Sequence, residues 1–433
     1  MKSLLYITYY WPPSGGPGVQ RSLKFVKYLP PLGYRPIVIT VNPIKASYPL
    51  TDDSLAREAA HIPDVIRTST FEPFHFYKWL SGRNTLPKPG FAGEEKPGFL
   101  KSVTRFLRGN LFIPDPRKGW NRFLIREALH QIQTRDVKLL LTSSPPHSTQ
   151  LAGLRLKQMS GLPWIADMRD PWTDIYYYHE FRHLPFVKRW DQRLERKVLE
   201  QADAVIVVSQ GIKDLFCSKS PRIRPEKIHI IPNGFDPEDF TGTVEKDVRY
   251  FTMAYTGTLA EDYDVRALIK ALKEIQEDSP GLPIRILLTG KISPWIRESM
   301  AYAGLSGMLT IEDYQSHSEA ILKMRKADVL LLVIPRIDNN KGILTGKLFE
   351  YMAAGNPVLG IGPVKGDAAE MLRETMCGEM YDYEDSEGIR SFLAEQIQGW
   401  IYHRTETTHT TELLKYSRVE QSRQLSDVMD SLL

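Results

Sequence analysis

Cysteine is nearly missing: Cys217 and Cys377 are the two in 433 residues, far apart and without metal-ligand spacing. That excludes a disulfide framework and makes free thiols in a reducing compartment the default. No run approaches the ~20 apolar residues that a spanning helix needs. The stretch Leu4–Thr8 is too short an apolar run for a signal peptide and reads as a first strand. An excess of one charge is missing too, since 56 basic and 52 acidic residues leave +4. So weak a field argues against nucleic acid as a partner and requires any basic site to be local. Repeats and low-complexity tracts are absent. No D-x-D metal motif stands out; Asp262-Tyr263-Asp264 has the spacing but precedes a helix, where it reads as a cap or a solvated face. A cytoplasmic protein is expected, with peripheral contact at the inner face of a membrane as a further option.

What is present is ample material for cores. Hydrophobic residues make up 42% and charged residues 25%, as in soluble globular proteins, and the length suggests two or three domains, two being simpler. Short apolar runs alternate with helical patterns. Leu4–Thr8, Pro36–Thr40, Leu139–Thr142, Trp164–Asp167 and Ala204–Ser209 read as buried parallel strands. A second series follows in Met253–Thr256, Arg285–Thr289, Leu309–Ile311, Val329–Val333 and Pro357–Gly360, with helices expected over Asp264–Gln276 and Ser318–Lys326. The fold class is therefore α/β, with two Rossmann-like doubly wound units. The turn-rich run Ile230–Pro237 reads as the interdomain crossing, with ligand expected in the cleft beside it. From about 46 to 116 the alternation breaks, which suggests an insertion on the first domain.

Four loops carry the candidate chemistry. Thr345-Gly346-Lys347-Leu348-Phe349-Glu350 joins a Gly turn to a helix opening, whose outward amides can receive phosphate oxygens while Glu350 reaches a ribose diol. An ordinary loop-helix-strand unit with a solvated Glu350 is the other reading. After the first strand, Ser14-Gly15-Gly16-Pro17-Gly18 departs from the dinucleotide pattern, because its glycines are too close together, and argues against NAD. It is a close-approach loop for an anion or sugar, or else a structural turn. Ser144-Pro145-Pro146-His147 and Asp167-Met168-Arg169-Asp170-Pro171-Trp172 both follow strands, at the carboxyl ends where such sheets hold ligands. His147 can exchange hydrogen bonds near neutral pH and Asp170 can orient a hydroxyl or take its proton. A structural histidine and a local Arg169–Asp170 ion pair are the alternatives.

Taken in order, these loops and Val-Val-Ser-Gln-Gly, Ile-Pro-Asn-Gly-Phe-Asp, Tyr-Thr-Gly-Thr-Leu and Gly-Lys-Leu-Phe-Glu-Tyr-Met-Ala-Ala-Gly-Asn-Pro-Val resemble family 4 of the retaining, nucleotide-sugar-dependent glycosyltransferases of GT-B fold, over nearly the whole chain. The resemblance implies an acceptor-binding domain over 1–238 and a donor-binding domain over 239–404. A last helix within 405–433 would cross back onto the first domain. It implies catalytic roles for His147, Asp170 and Gly16. Donor contacts fall to Gly15, Gly16, Lys291, Arg336, Thr345, Gly346, Lys347, Leu348 and Glu350, and acceptor contacts to Arg169, Trp172 and Arg21. No cofactor beyond the nucleoside diphosphate sugar and no metal is expected, and the acceptor would be a glycan or a polyprenyl-linked one, in surface polysaccharide assembly.

Two departures from the family pattern stand out. Gly342 replaces the first glutamate of the E-x7-E pair, and Thr258–Asp262 lacks the Arg and Lys that commonly neutralise the diphosphate, which leaves Lys347, Lys291, Lys341 or Arg336 to do so. With no carboxylate evident as a nucleophile, same-face displacement is favoured over a covalent intermediate. A non-catalytic sugar-nucleotide-binding or scaffold protein and an epimerase of the same architecture are the rivals. Lys96–Pro114 has no acid, and its Phe99, Val103, Phe106 and Leu107 alternate with Lys101, Arg105 and Arg108, so it reads either as a membrane-surface helix or as one packed on the first domain. The basic stretch Phe186–Leu199, with Asp191 and Glu195, is expected to pack as a core helix.

Overall fold

The computed structural model describes residues 1–72, 106, 109–175, 178, 181–338, 340–403 and 411–433. Two compact units result: Met1–Pro232 with Arg418–Leu433, and Asn233–Ser417. The first is built on seven parallel strands in the order β3-β2-β1-β4-β5-β6-β7. They are β1 Lys2–Thr8, β2 Tyr34–Val41, β3 Val65–Thr68, β4 Val137–Ser144, β5 Trp164–Met168, β6 Ala204–Val207 and β7 Ile228–Ile230. Strand β1 lies in the interior of the sheet, with Leu5 opposite Ile37 on one side and Leu140 on the other. Both of its faces are covered, and this is why β1, β4 and β5 are continuous apolar runs rather than alternating ones. The order reverses between β1 and β4, so their outgoing loops diverge and leave a crevice at the carboxyl edge.

The second unit repeats the plan with six parallel strands in the order β10-β9-β8-β11-β12-β13. These are β8 Phe251–Leu259, β9 Ile284–Ile292, β10 Leu309–Glu312, β11 Val329–Val333, β12 Val358–Ile361 and β13 Gly378–Tyr381. Its reversal falls between β8 and β11. Each sheet has a cluster of buried side chains on either face, as a three-layer unit requires.

Every strand expected from sequence is present, and β3, β7 and β13 are additional. They are edge or near-edge strands of three or four residues, too short for periodicity to mark. The expected insertion over 46–116 is corrected in its first part: helix Asp53–Ala59 and β3 are integral, β3 pairing with β2 from Val38↔Val65 to Val41↔Thr68. Relative to the boundaries read from sequence, 238 and 404, the units divide at 232 and 417. Phe235 and Tyr416 pack in the second unit's core, whereas Leu425, Val428 and Met429 of helix Arg418–Asp430 pack against Val19, Leu23 and Val26 in the first. Most of the basic segment Lys96–Pro114 lies outside the described residues.

Candidate functional site

In the second unit, helix Gly346–Ala354 follows β11 and presents its N-terminus at the carboxyl edge of the sheet, beside the reversal. The Tyr351 hydroxyl accepts the Thr256 amide at 2.9 Å, which ties the helix to the end of β8. Thr345 occupies the N-cap with extended backbone, yet its hydroxyl caps nothing: Oγ1 is buried and unpartnered. Among the described residues the amides of Gly346 and Lys347 have no partner, and two such amides with an idle hydroxyl beside them are a ready anion site. Leu348 faces the core at 0% exposure and its amide donates to the Thr345 carbonyl at 3.2 Å, so of the expected donor residues it contributes packing rather than a free amide.

Lys347 turns its side chain onto β8. Its ammonium donates to the Tyr255 hydroxyl and lies 4.1 Å from that ring's centroid. Burial pushes Lys347 down to about 7, with the Glu350 carboxylate opposing. One turn along, Glu350 Oε1 lies 3.0 Å from His317 Nε2, at the start of helix His317–Lys326. Both are largely shielded, at 13% and 14% side-chain exposure, so the pair holds the carboxylate in one direction. Arg336 is committed to Asp264 at 2.8 Å and to Glu384 at 2.6 Å, and Lys291 sits exposed at the end of β9 opposite Thr258. Lys347, at the second position of the helix, is the shielded cation there. Asp264 is held by Arg336 and Arg266, which commits that part of Asp262-Tyr263-Asp264 to arginines. Among the described residues no group of three His, Cys, Asp or Glu side chains gathers.

In the first unit, Gly16 caps helix Pro17–Tyr28 at φ 105° and ψ 165°, a backbone region that a side chain opposes, with open space where a Cβ would stand. Two residues on, a Cβ at Gly18 would lie 1.9 Å from the Arg169 guanidinium. Arg169 Nε in turn donates to the Ser144 carbonyl at 3.0 Å, so the loops after β1, β4 and β5 are knitted together through one arginine. Gly15 donates its amide to Leu50.

His147 immediately precedes helix Ser148–Ser160, whose first residue gives its amide and hydroxyl to Asp115 at 2.7 and 2.9 Å. The imidazole lies flat on Trp172, with centroids 5.1 Å apart and planes 9° apart, and its Nδ1 is buried without a partner. Burial, reinforced by Arg169 and Lys219, pushes His147 down to about 3. It is a neutral hydrogen-bonding group throughout the physiological range. Burial raises Asp170, with Arg169 opposing, and no hydrogen bond engages its carboxylate among the described residues.

Two expected acceptor contacts are corrected. Arg21 is 0% exposed, paired with Asp167 at 3.0 Å and donating to the carbonyls of Ile231 and Pro232. It closes the sheet beneath the loops and cannot reach a substrate. Trp172 is 2% exposed and is the support for His147 instead of an acceptor platform.

That support has partners which spacing in the sequence does not mark. Trp172 Nε1 donates to Asp191 at 2.9 Å, and the Trp172 amide and Thr173 hydroxyl donate to Glu195 at 3.1 and 2.6 Å. Asp191 also accepts from the Tyr178 hydroxyl at 2.9 Å, and burial pushes it up to about 7. Asp191 and Glu195, one turn apart on helix Pro185–Gln201, thus hold the loop that carries Asp170 and Trp172. Their i,i+4 spacing on an otherwise basic helix was the available signal.

Comparison with known proteins adds three findings. Residues 85–239 match the family model described as Glycosyltransferase Family 4. A stretch of 228 residues, 48% of this chain, is 23% identical to alpha-maltose-1-phosphate synthase of Mycolicibacterium smegmatis and spans 56% of that relative's length. Among solved structures, Anabaena HepE in complex with UDP-glucose matches at a TM-score of 0.62 and 14% identity, with 100% of both chains covered. Sucrose-phosphate synthase from Thermosynechococcus elongatus matches at 0.61 and 14%, with 100% of this chain and 99% of the other covered. At such identities the structural likeness speaks for the fold, two Rossmann-like domains of the GT-B kind.

Proposed function

We propose that this chain, which belongs to glycosyltransferase family 4 by its matched residues 85–239 and its GT-B fold, moves a sugar from a nucleoside diphosphate donor to a glycan or lipid-linked acceptor. Retention of anomeric configuration and a setting in surface polysaccharide assembly complete the proposal. The observation that carries it is the cluster at the start of helix Gly346–Ala354: an unpartnered Thr345 hydroxyl, a shielded Lys347 and a Glu350 directed by His317. A diphosphate takes the amides and Lys347, and a ribose diol takes Glu350, a pairing of anion site and carboxylate one turn apart that a purely structural helix start has no use for.

Transfer then follows from charge. The acceptor hydroxyl attacks the anomeric carbon on the face the leaving group departs from, the bond from that carbon to the phosphate oxygen breaks, and the hydroxyl proton passes to that oxygen. Charge grows on the diphosphate as the bond opens, and Lys347 with the helix amides meets it. Neutral His147 donates or accepts at a sugar hydroxyl, and Asp170 orients the acceptor. Arg169 acts by holding the three loops together.

The test is a panel of nucleoside diphosphate sugars assayed for nucleoside diphosphate release with and without a polyprenyl-phosphate-linked glycan, with the product's anomeric configuration read by NMR. Release that depends on the acceptor and gives a retained linkage supports the proposal. An epimerised donor without transfer would assign an epimerase. Tight binding without turnover of any kind would assign a sugar-nucleotide-binding protein, the reading that Gly342 in place of the family's first glutamate favours.

A further inference from the structure

Helix Pro185–Gln201 has three acids, and none of them faces outward over its first three turns. Asp191 and Glu195 are 1% and 0% exposed beneath the Trp172 loop, and Glu200, in the last turn, accepts from the Ser220 hydroxyl at 2.6 Å. The outer face carries Lys188, Arg189, Arg193, Arg196 and Lys197, all exposed, with Arg182 just before the helix. No ion pair or hydrogen bond occupies these side chains among the described residues. Between them stand Phe186 and Trp190, one turn apart and 67% and 51% exposed.

A second element extends the patch. His183 Nδ1 lies 2.7 Å from the Gly109 carbonyl, and Leu184 donates its amide to Asn110 Oδ1 at 2.7 Å. Those bonds fix Leu111, 62% exposed, beside the start of the helix. Unpaired cations interleaved with large apolar side chains on one convex face suit an interface with two layers, anionic outside and apolar beneath. Nucleic acid would engage the cations and leave Phe186 and Leu111 in water.

We infer that the outer face of helix Pro185–Gln201, with Leu111 beside it, docks the first domain onto an anionic membrane surface. The cations meet lipid phosphates, while Phe186 and Trp190 enter the boundary between headgroups and acyl chains. The inward face of the same helix grips the Trp172 loop, so a membrane-borne molecule would arrive on the side that carries His147 and Asp170. This inference is independent of the proposed transfer, since a protein that transfers nothing can still bind lipid. Of the segment Lys96–Pro114, most of which lies outside the described residues, this face takes in Leu111.

Cosedimentation of the full chain with phosphatidylcholine–phosphatidylglycerol vesicles tests it, with pure phosphatidylcholine vesicles as the reference. Wild type should bind the anionic vesicles, release in high salt and bind the neutral ones weakly. Each cation removed should lower partitioning roughly fivefold, so R189E/R193E/R196E should lose about a hundredfold or more. The lysine counterpart R189K/R193K/R196K should bind as wild type does, and F186A/W190A should weaken binding to both vesicle types. Melting curves confirm that these exposed substitutions leave the fold intact; if the glutamate variant does not fold, R189Q/R193Q/R196Q replaces it. Absence of wild-type binding, or equal binding by wild type and the charge-removed variant, overturns the inference. So does release by K101E/R105E/R108E alone, or binding to a DNA duplex in preference to vesicles.

Discussion

Replacing Lys347 with methionine gives the sharpest test of the donor site, because the lysine's state depends on whether the site is filled. In the free protein, burial against Tyr255 holds Lys347 at about 7. At pH 8 roughly nine-tenths of it is therefore neutral, one unit above its midpoint. A bound diphosphate adds its opposite charge to that of Glu350 and restores the ammonium. Binding an intact nucleoside diphosphate sugar, whose phosphates do not titrate near neutrality, should take up about 0.9 proton at pH 8 and about 0.1 at pH 6. Affinity should fall up to about tenfold per pH unit above 7. Calorimetry in buffers of differing ionisation enthalpy reads the proton count directly. Lys347→Met should abolish the uptake and, at pH 6, weaken binding by about 1.5–3 kcal/mol, roughly ten- to 150-fold. Linkage without donor has a definite sign. A depressed folded pKa means that the unfolded chain holds the extra proton between about pH 7 and pH 10, so this group makes wild type gain stability as the pH rises. The methionine variant lacks that gain. Proton uptake of zero in wild type, or equal uptake in both proteins, would refute the reasoning.

Three further outcomes are expected. Gly16→Ala should lower both transfer and stability, because alanine opposes φ 105°; the stability loss is about 1–3 kcal/mol by chemical denaturation. His317→Ala should weaken donor binding by freeing Glu350 without touching the donor, and Glu350→Gln should weaken it about ten- to hundredfold. The penalty for a 2′-deoxyribose donor should shrink in both variants, and an undiminished penalty in Glu350→Gln would remove that residue from the ribose. Asp191 is raised, so the folded state holds its proton between about pH 4 and 7 and wild-type stability should fall as the pH rises through that window, by at most about 1.4 kcal/mol per unit. Asp191→Asn should flatten this slope; denaturation midpoints at pH 5 and pH 8 decide.

By itself the sequence determined the two-domain α/β plan and the whereabouts of the four loops. Strands buried on both faces must be continuous apolar runs, and helix starts must carry small and polar residues, so both leave marks within a few positions of one another. Thr345–Glu350 and Ser144–His147 were legible for that reason. Tertiary structure alone decided which groups meet. His317 and Glu350 lie 33 positions apart, Arg21 and Asp167 146 apart, and Tyr255 and Lys347 92 apart. No local period encodes such pairings. They turned Arg21 from a candidate ligand into a buried ion pair, committed Arg336 to carboxylates while laying Lys347 on Tyr255, and gave Trp172 to His147. Burial then set the charges, leaving His147 neutral and bringing Lys347 and Asp191 close to neutrality. Desolvation depends on every element packed around a group, and those elements come from distant parts of the chain.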